Sequence, residues 1–387
     1  MFTILKGGKI FTPDEAGRKD LIIAGSIISN IEDNIDPNEG YGEVEVFDVR
    51  DKYVVPGFID QHVHLIGGGG EAGYASRTPE VMLSHIISSG ITTVIGLLGT
   101  DGTTRHMASL LAKARGLDAE GITTYIYTGS YQVPTRTITG SVRDDIILID
   151  KVIGCGEIAI SDHRSAQPNK DDLAKLAAEA RVGGILSGKA GILHLHVGDG
   201  QRKLGMIFKI LEETEIPITQ FTPTHVNRNP YLLEDAIAFA KYGGMIDITS
   251  GVSPASGAAK SLEPSMAVKR CLENGVPIDR ITMSSDGNGP IFDERGQLKG
   301  LLVATLSSLY EEFKALVTDG LNLSDALKII TQNPASSLKL YPKKGTLQIG
   351  SDADIVVMDE EFNIEYVFAK GRCMIMQGKV AVKGTFE

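Results

Sequence analysis

Pro56-Gly57-Phe58-Ile59-Asp60-Gln61-His62-Val63-His64 is the stretch on which the fold turns. It reads as a buried strand that ends in two histidines. Side chains of an extended strand alternate between faces, so His62 and His64 point the same way with Val63 between them. Two imidazoles on one face at a strand's end suit a metal ion. With 8 His in 387 residues, however, a His-x-His pair also arises by chance, and His194-Leu195-His196 is a second one. The reading therefore depends on whether other strands supply further ligands.

Working outward, the two sides of this stretch differ. Residues 1–55 read as short strands and turns (Phe2–Leu5, Leu21–Ile31 broken at Gly25, Val44–Val49), punctuated by Gly7-Gly8 and Pro13-Asp14. After Pro56, apolar strands alternate with amphipathic helical segments, the pattern of a parallel α/β fold. The strands fall at Gly57–His62, Thr92–Leu98, Thr123–Thr128, Gly156–Ser161, Gly191–His196, Ile218–Thr224, Met245–Thr249 and Arg280–Ser285. Helical periodicity is clear over Asp171–Leu186 and Leu301–Val317, and Thr78-Pro79-Glu80 and Asn229-Pro230 read as helix starts.

Eight strands over roughly 280 residues match a (β/α)8 TIM barrel. A doubly wound open sheet is the rival, disfavoured because candidate site residues come from so many strand ends. Beyond an Asn333-Pro334-Ala335-Ser336 turn, strands return at Asp354–Met358, Tyr366–Ala369, Cys373–Met376 and Lys379–Val382. Neither terminal set is large enough to fold alone, and the ends of a domain often lie close together. Residues 1–55 and 340–387 are therefore expected to form one small β-sandwich domain, with residues 56–339 as the barrel.

Composition sets outer bounds. A hydrophobic share of 42% and a charged share of 22% are ordinary for a soluble globular chain. A net charge of −11 argues against a nucleic-acid partner, which needs a basic stripe. Three cysteines, Cys155, Cys271 and Cys373, give no disulfide framework and point to a reducing compartment, the cytoplasm. The first apolar run is too short for a signal peptide, and no run approaches the ~20 residues of a membrane span.

In a barrel the carboxyl ends of the strands converge on one cavity. Read in order, those ends offer His62 and His64, Glu157, His196, His225 and Asp286. Four imidazoles and two carboxylates suit two divalent cations bridged by a carboxylate and a water. Mixed His and carboxylate ligation with no Cys favours zinc, with cobalt or manganese as substitutes. Two cations sharing a water lower its pKa towards neutrality. Asp286 can take that water's proton and pass it to a leaving amine.

Together these stretches resemble the amidohydrolase superfamily. Within it, Gly67–Gly73 (GGGGEAG), Tyr131–Val142 with its RTITGSV, Ile160–Ser165 (ISDHRS), Pro223–Asn229 (PTHVNRN) and Ser284–Gly289 (SSDGNG) resemble the isoaspartyl dipeptidases over nearly the whole chain. The resemblance implies a binuclear-metal hydrolase that cleaves the β-linked peptide bond of isoaspartyl dipeptides by attack of a metal-bridging hydroxide. It implies a homo-oligomer such as an octamer. It also implies roles: Tyr131 as oxyanion donor, Glu71 facing the substrate ammonium, Arg164 and Arg228 facing its carboxylates, and Gly69 and Thr100 adding loop contacts. Two positions depart from the family pattern. Glu157 stands where the family usually has a carboxylated lysine, and Pro290 stands where it has a substrate-binding serine.

Other features read more plainly. Gly67–Gly70 lacks the Lys-Ser/Thr of a phosphate loop and reads as a flexible substrate loop. His85 and His106 fall on helical segments as surface or packing residues, His194 as a packed core histidine, His163 as a residue just behind the site, and Cys155 as inert. Two rival functions remain: a cyclic-amide or N-acyl amino-acid hydrolase of the dihydroorotase or hydantoinase kind, and a scaffold that kept the fold without chemistry. Glu71 with two arginines favours the dipeptide. On this orientation Arg228→Met raises KM steeply while metal content stays normal, and unchanged kinetics would rule it out.

Overall fold

All eight strands expected after Pro56 form in the computed structural model, which describes residues 2–38, 42–254, 256, 258–292 and 298–387. They are β1 (Phe58–Val63), β2 (Ile91–Gly96), β3 (Thr123–Thr128), β4 (Val152–Ile160), β5 (Ile192–Val197), β6 (Phe221–Thr224), β7 (Ile246–Thr249) and β8 (Ile281–Ser284). β1 to β6 hydrogen-bond in sequence order as one parallel sheet, and β7 pairs with β8. The sheet is curled, so its two ends approach each other. Val63 bridges Gly287 beyond β8, and the His64 amide donates to the Gly287 carbonyl at 2.9 Å.

Between β6 and β7 side chains take over from the backbone ladder. Thr224 donates to Asp247 at 2.6 Å, and the Thr249 amide donates to Asn227 at 3.0 Å. Every residue of β1, β2, β4 and β5 is buried. Their polar residues are buried with the rest, among them Asp60, Gln61, His62, Glu157, His194 and His196.

Helices cover the outer face. The helix Lys170–Ser187 is capped reciprocally by Asn169 and Asp172 and ends at Gly188 in the left-handed region (φ 72°). Asn229 caps Pro230–Lys241 as its sequence foretells.

Three local expectations are corrected. The helix placed at Thr78-Pro79-Glu80 begins only at Leu83. The Thr78 hydroxyl accepts from the Gly68 amide and donates to the Asn288 carbonyl, both at 2.7 Å, so it ties loops together and caps nothing. The run Leu301–Val317 is helical only from Ser307, because Leu298–Val303 pairs antiparallel with Pro290–Phe292 and finds its backbone partners there. The Asn333-Pro334 turn is a short helix, Gln332–Ser337, which tolerates Pro334 in its first turn.

Strands from both chain ends share one nine-stranded sheet. The link is Tyr53–Pro56, antiparallel to Ile355–Met358, continued where the Gly57 amide donates to the Asp354 carbonyl at 2.8 Å. Phe2–Phe11 pairs in parallel first with Val44–Asp48 and then with Tyr53–Pro56. A separate apolar cluster including Leu5, Ile10, Leu21, Phe47 and Phe368 lies within these strands.

The chain leaves this sheet after Pro56 and enters the parallel one with β1 at Phe58. The Phe58 ring is fully buried, 5.5 Å from the Phe313 ring, and covers Gly90, where an added Cβ would come within 2.8 Å of it. Phe58→Ala is expected to lose about 3–5 kcal/mol of stability. A denaturation midpoint equal to that of the parent would contradict this anchoring of β1.

Candidate metal centre

β1 delivers His62 and His64 with ring centroids 5.6 Å apart. β4 delivers Glu157 and β5 delivers His196. His225 and Asp286 follow β6 and β8 in the left-handed backbone region (φ 60° and 54°). That conformation costs a non-glycine residue roughly 1–2 kcal/mol and persists where surrounding contacts over-determine it.

Glu157 lies among four imidazoles. Its Oε1 is 3.7 Å from His64 Nε2, and its Oε2 is 3.6 Å from His62 Nε2, 3.5 Å from His225 Nε2 and 3.1 Å from His196 Nδ1. Asp286 Oδ1 is 3.1 Å from His64 Nε2 and 3.4 Å from His62 Nε2. Two overlapping groups of ligand atoms lie within 4.8 Å of one another: His62, His64 and Asp286, and His62, Glu157 and His225. His196 lies outside both groups yet next to Glu157.

The donor set fits a metal. Buried His62 Nε2 has no hydrogen-bond partner among the described residues, although two carboxylates face it at 3.4 and 3.6 Å. Those gaps are too long for hydrogen bonds and suit a cation between the groups. Burial opposes the charge on Glu157 and Asp286, but the imidazoles around them hold both carboxyls well below the usual range. Burial pushes His225 down to about 3, which keeps it neutral, as a ligand must be.

A ring of supporting contacts escaped the sequence reading. His62 Nδ1 meets His194 Nε2 at 2.9 Å, and Tyr127 lies flat against His194. His194 is thus a buried histidine, as expected, but one that touches a ligand. His225 Nδ1 meets the Thr249 hydroxyl at 2.8 Å. Asp60 accepts from the His62 and Ser285 amides at 3.2 Å and from the Ser285 hydroxyl at 2.5 Å, joining β1 to the end of β8. Its carboxyl is pushed up to about 6 by burial. Asp60 had a legible signal, because positions 60, 62 and 64 share one face of a strand.

Asp162 accepts from Arg164 and faces His196 Nε2 at 3.0 Å. Burial opposes its charge, but these partners hold its carboxyl well below the usual range. His163, expected just behind the site, is instead 85% exposed. β4 stops at Ile160 and Ser161 turns left-handed (φ 51°), so strand alternation no longer applies there.

A cavity opens over this centre, walled by His64, Glu157, His196 and Asp286 and by all the expected substrate residues: Gly69, Glu71, Thr100, Tyr131, Arg164 and Arg228. Thr100 donates to Glu71 at 2.7 Å, and Arg164 Nη1 is 3.5 Å from the same oxygen. Arg228 Nε is buried with no hydrogen-bond partner among the described residues. The Tyr131 hydroxyl is 2.8 Å from His196 Nδ1, and burial raises its pKa well above the usual value, so it stays a donor. Pro290 lines the same wall without a hydroxyl.

Residues 53–374 match the model of the amidohydrolase family. The chain belongs to that family. Among solved structures this amidohydrolase resembles the β-aspartyl dipeptidase of Fervidobacterium islandicum AW-1, with 43% identity, a TM-score of 0.90 and 98% of both chains covered. The complex of that dipeptidase with β-Asp-Leu matches at 44% identity, a TM-score of 0.90 and the same coverage. The dihydroorotase of Staphylococcus aureus (strain Mu50 / ATCC 700699) is 34% identical over 97 residues, which is 25% of this chain and 22% of the length of that protein.

If Glu157 lies between metal positions, Glu157→Ala keeps its circular dichroism spectrum but loses at least one equivalent of bound metal by elemental analysis. Parent-level metal content in that variant would contradict the assignment.

Proposed function

We propose that this amidohydrolase is a metallo-dipeptidase that cleaves the β-linked peptide bond of isoaspartyl dipeptides, using two divalent cations, zinc foremost. The observation that carries the reading is the cavity itself. It joins the imidazole–carboxylate centre to Glu71, Arg164 and Arg228, the signs an isoaspartyl dipeptide needs for its ammonium and two carboxylates, while Asp101 and Arg105 on the same wall face each other at 3.7 Å. The 43% identity to a β-aspartyl dipeptidase over 98% of both chains supports it.

His62, His64, Glu157, His196, His225 and Asp286 would hold the metals. When bound, these supply Lewis acidity towards the scissile carbonyl and a water of lowered pKa. The chain's own residues do the rest. Asp286 keeps 24% of its side chain open to the cavity while Glu157, His62 and His225 are closed off at 0–1%, so Asp286 is the carboxylate that can move a proton from water to the leaving amine. The Tyr131 hydroxyl donates to the oxygen that gains charge.

Glu71, steadied by Thr100, receives the ammonium, and Gly69 adds a backbone contact. Arg228 offers a fork that no carboxylate among the described residues occupies, and Arg164 assists from its pairing with Asp162. With Pro290 in place of a serine, carboxylate binding on that wall depends more heavily on Arg228.

In the same reading residues 1–55 and 340–387 make a small β-sandwich beside a (β/α)8 barrel of residues 56–339. The protein is then a cytoplasmic homo-oligomer with neither nucleic-acid nor membrane partners. No helix among the described residues is long and apolar enough to cross a membrane.

The partial match to a dihydroorotase keeps cyclic amides as the second reading, but those rings carry no ammonium for Glu71. A panel of β-Asp-Leu, dihydroorotate, hydantoin and N-acetyl amino acids separates the two. Hydrolysis of β-Asp-Leu is expected, abolished by a chelator and restored by zinc or cobalt. Turnover of a cyclic amide with β-Asp-Leu untouched would overturn the proposal.

A further inference from the structure

Asp162 stands where the metal side and the substrate side of the pocket meet. It follows β4, and its side chain is 3% exposed. Oδ1 accepts from the Arg164 amide at 2.8 Å and from Arg164 Nε at 3.0 Å. Oδ2 accepts from Arg164 Nη2 at 2.8 Å and faces His196 Nε2 at 3.0 Å. Arg164 reaches Glu71 with its remaining nitrogen, 3.5 Å away. One buried carboxylate thus touches a candidate metal ligand and a candidate substrate reader at once.

The chemistry of that contact fixes the histidine. An ionised carboxylate only accepts, so a ring nitrogen facing one is joined to it by a hydrogen or by a cation. The cationic Arg164 Nη2 lies 3.3 Å from His196 Nε2 and excludes a metal there, so a hydrogen joins Nε2 to Asp162 and Nδ1 is left to face the centre. Nδ1 lies 3.1 Å from Glu157 Oε2 and 2.8 Å from the Tyr131 hydroxyl. A bare nitrogen and a carboxylate oxygen at that separation repel each other unless a proton or a cation joins them. We propose that Asp162 is a positioning residue that commits His196 to bind metal through Nδ1 and clamps the Arg164 fork, so that one carboxylate sets both sides of the pocket. An asparagine cannot replace it, because its amide presents an acceptor to one neighbour and a donor to the other.

The inference rests on the metal reading above but not on the identity of the dipeptide, so zinc itself is the probe. Zinc binding to the metal-free full-length protein is measured calorimetrically for the parent, Asp162→Asn and Arg164→Met, with KM for β-Asp-Leu and the metal-free melting temperature alongside. Asp162→Asn is expected to weaken zinc binding ~10–100-fold, the usual effect of removing such a partner from a ligating histidine, and to raise KM. Arg164→Met is expected to raise KM with zinc affinity unchanged.

Parent zinc affinity in Asp162→Asn overturns the proposal, and so does an equal loss in Arg164→Met, which would assign the effect to general packing. If Asp162→Asn fails to fold, the double variant Asp162→Asn/Arg164→Met, which lacks the stranded guanidinium, is titrated against Arg164→Met. The same ~10–100-fold loss is expected, and equal affinity overturns the proposal. A parent that binds no zinc would instead strike the metal reading, and this inference with it.

Discussion

Glu157 has 1% of its side chain exposed, and its two oxygens face four imidazoles at 3.1 to 3.7 Å. Removing an ion from water costs several kcal/mol even after the protein relaxes, so a buried carboxylate persists only where opposite charge or strong donors meet it. Here the partners come from β1, β5 and the turn after β6, and a second carboxylate, Asp286, comes from the turn after β8. No local segment could assemble this set. The curled sheet exists, in functional terms, to bring those strand ends to one point, and the left-handed turns at His225 and Asp286 are strained positions that the convergence holds in place.

Around that centre the structure separates two kinds of polar contact. Below and beside it, three of the candidate ligands are braced by a neighbour: His194 on His62, Thr249 on His225 and Asp162 on His196, with Asp60 on the backbone of His62; buried His64 Nδ1 has no such partner among the described residues. Such braces hold ring orientation. Above it, the cavity wall keeps groups in reserve. Arg228 Nε, buried and unpartnered among the described residues, is a donor whose desolvation is unrepaid in the free protein. An anionic substrate group that supplies the missing acceptor gains from that arrangement.

Much of this was legible in the sequence, for a physical reason. Short strand segments alternate with amphipathic helical ones after Pro56, so all eight strands could be placed within a few residues of their observed ends. Strand alternation then put His62 and His64 on one face, and reading each strand's last residues gave the rest of the donor set. The reading failed where a side chain serves something distant. Thr78 looked like a helix cap but ties Gly68 to Asn288, 210 residues away. His163 was read by alternation past the point where β4 ends. Asp162 and His194 look unremarkable in sequence because their partners are contributed by other strands. Asp60, in phase with two candidate ligands, carried a signal that the reading did not take up, and it supports the backbone beside the centre.

The central proposal is that Glu157, among the four imidazoles and beside Asp286, would hold metal. Anomalous diffraction at the zinc edge from crystals of the zinc-loaded protein tests it most directly. The account predicts two peaks among His62, His64, Glu157, His196, His225 and Asp286, with the Glu157 carboxylate in contact with them. A single peak, or two peaks with the Glu157 carboxylate turned away from both, would contradict it.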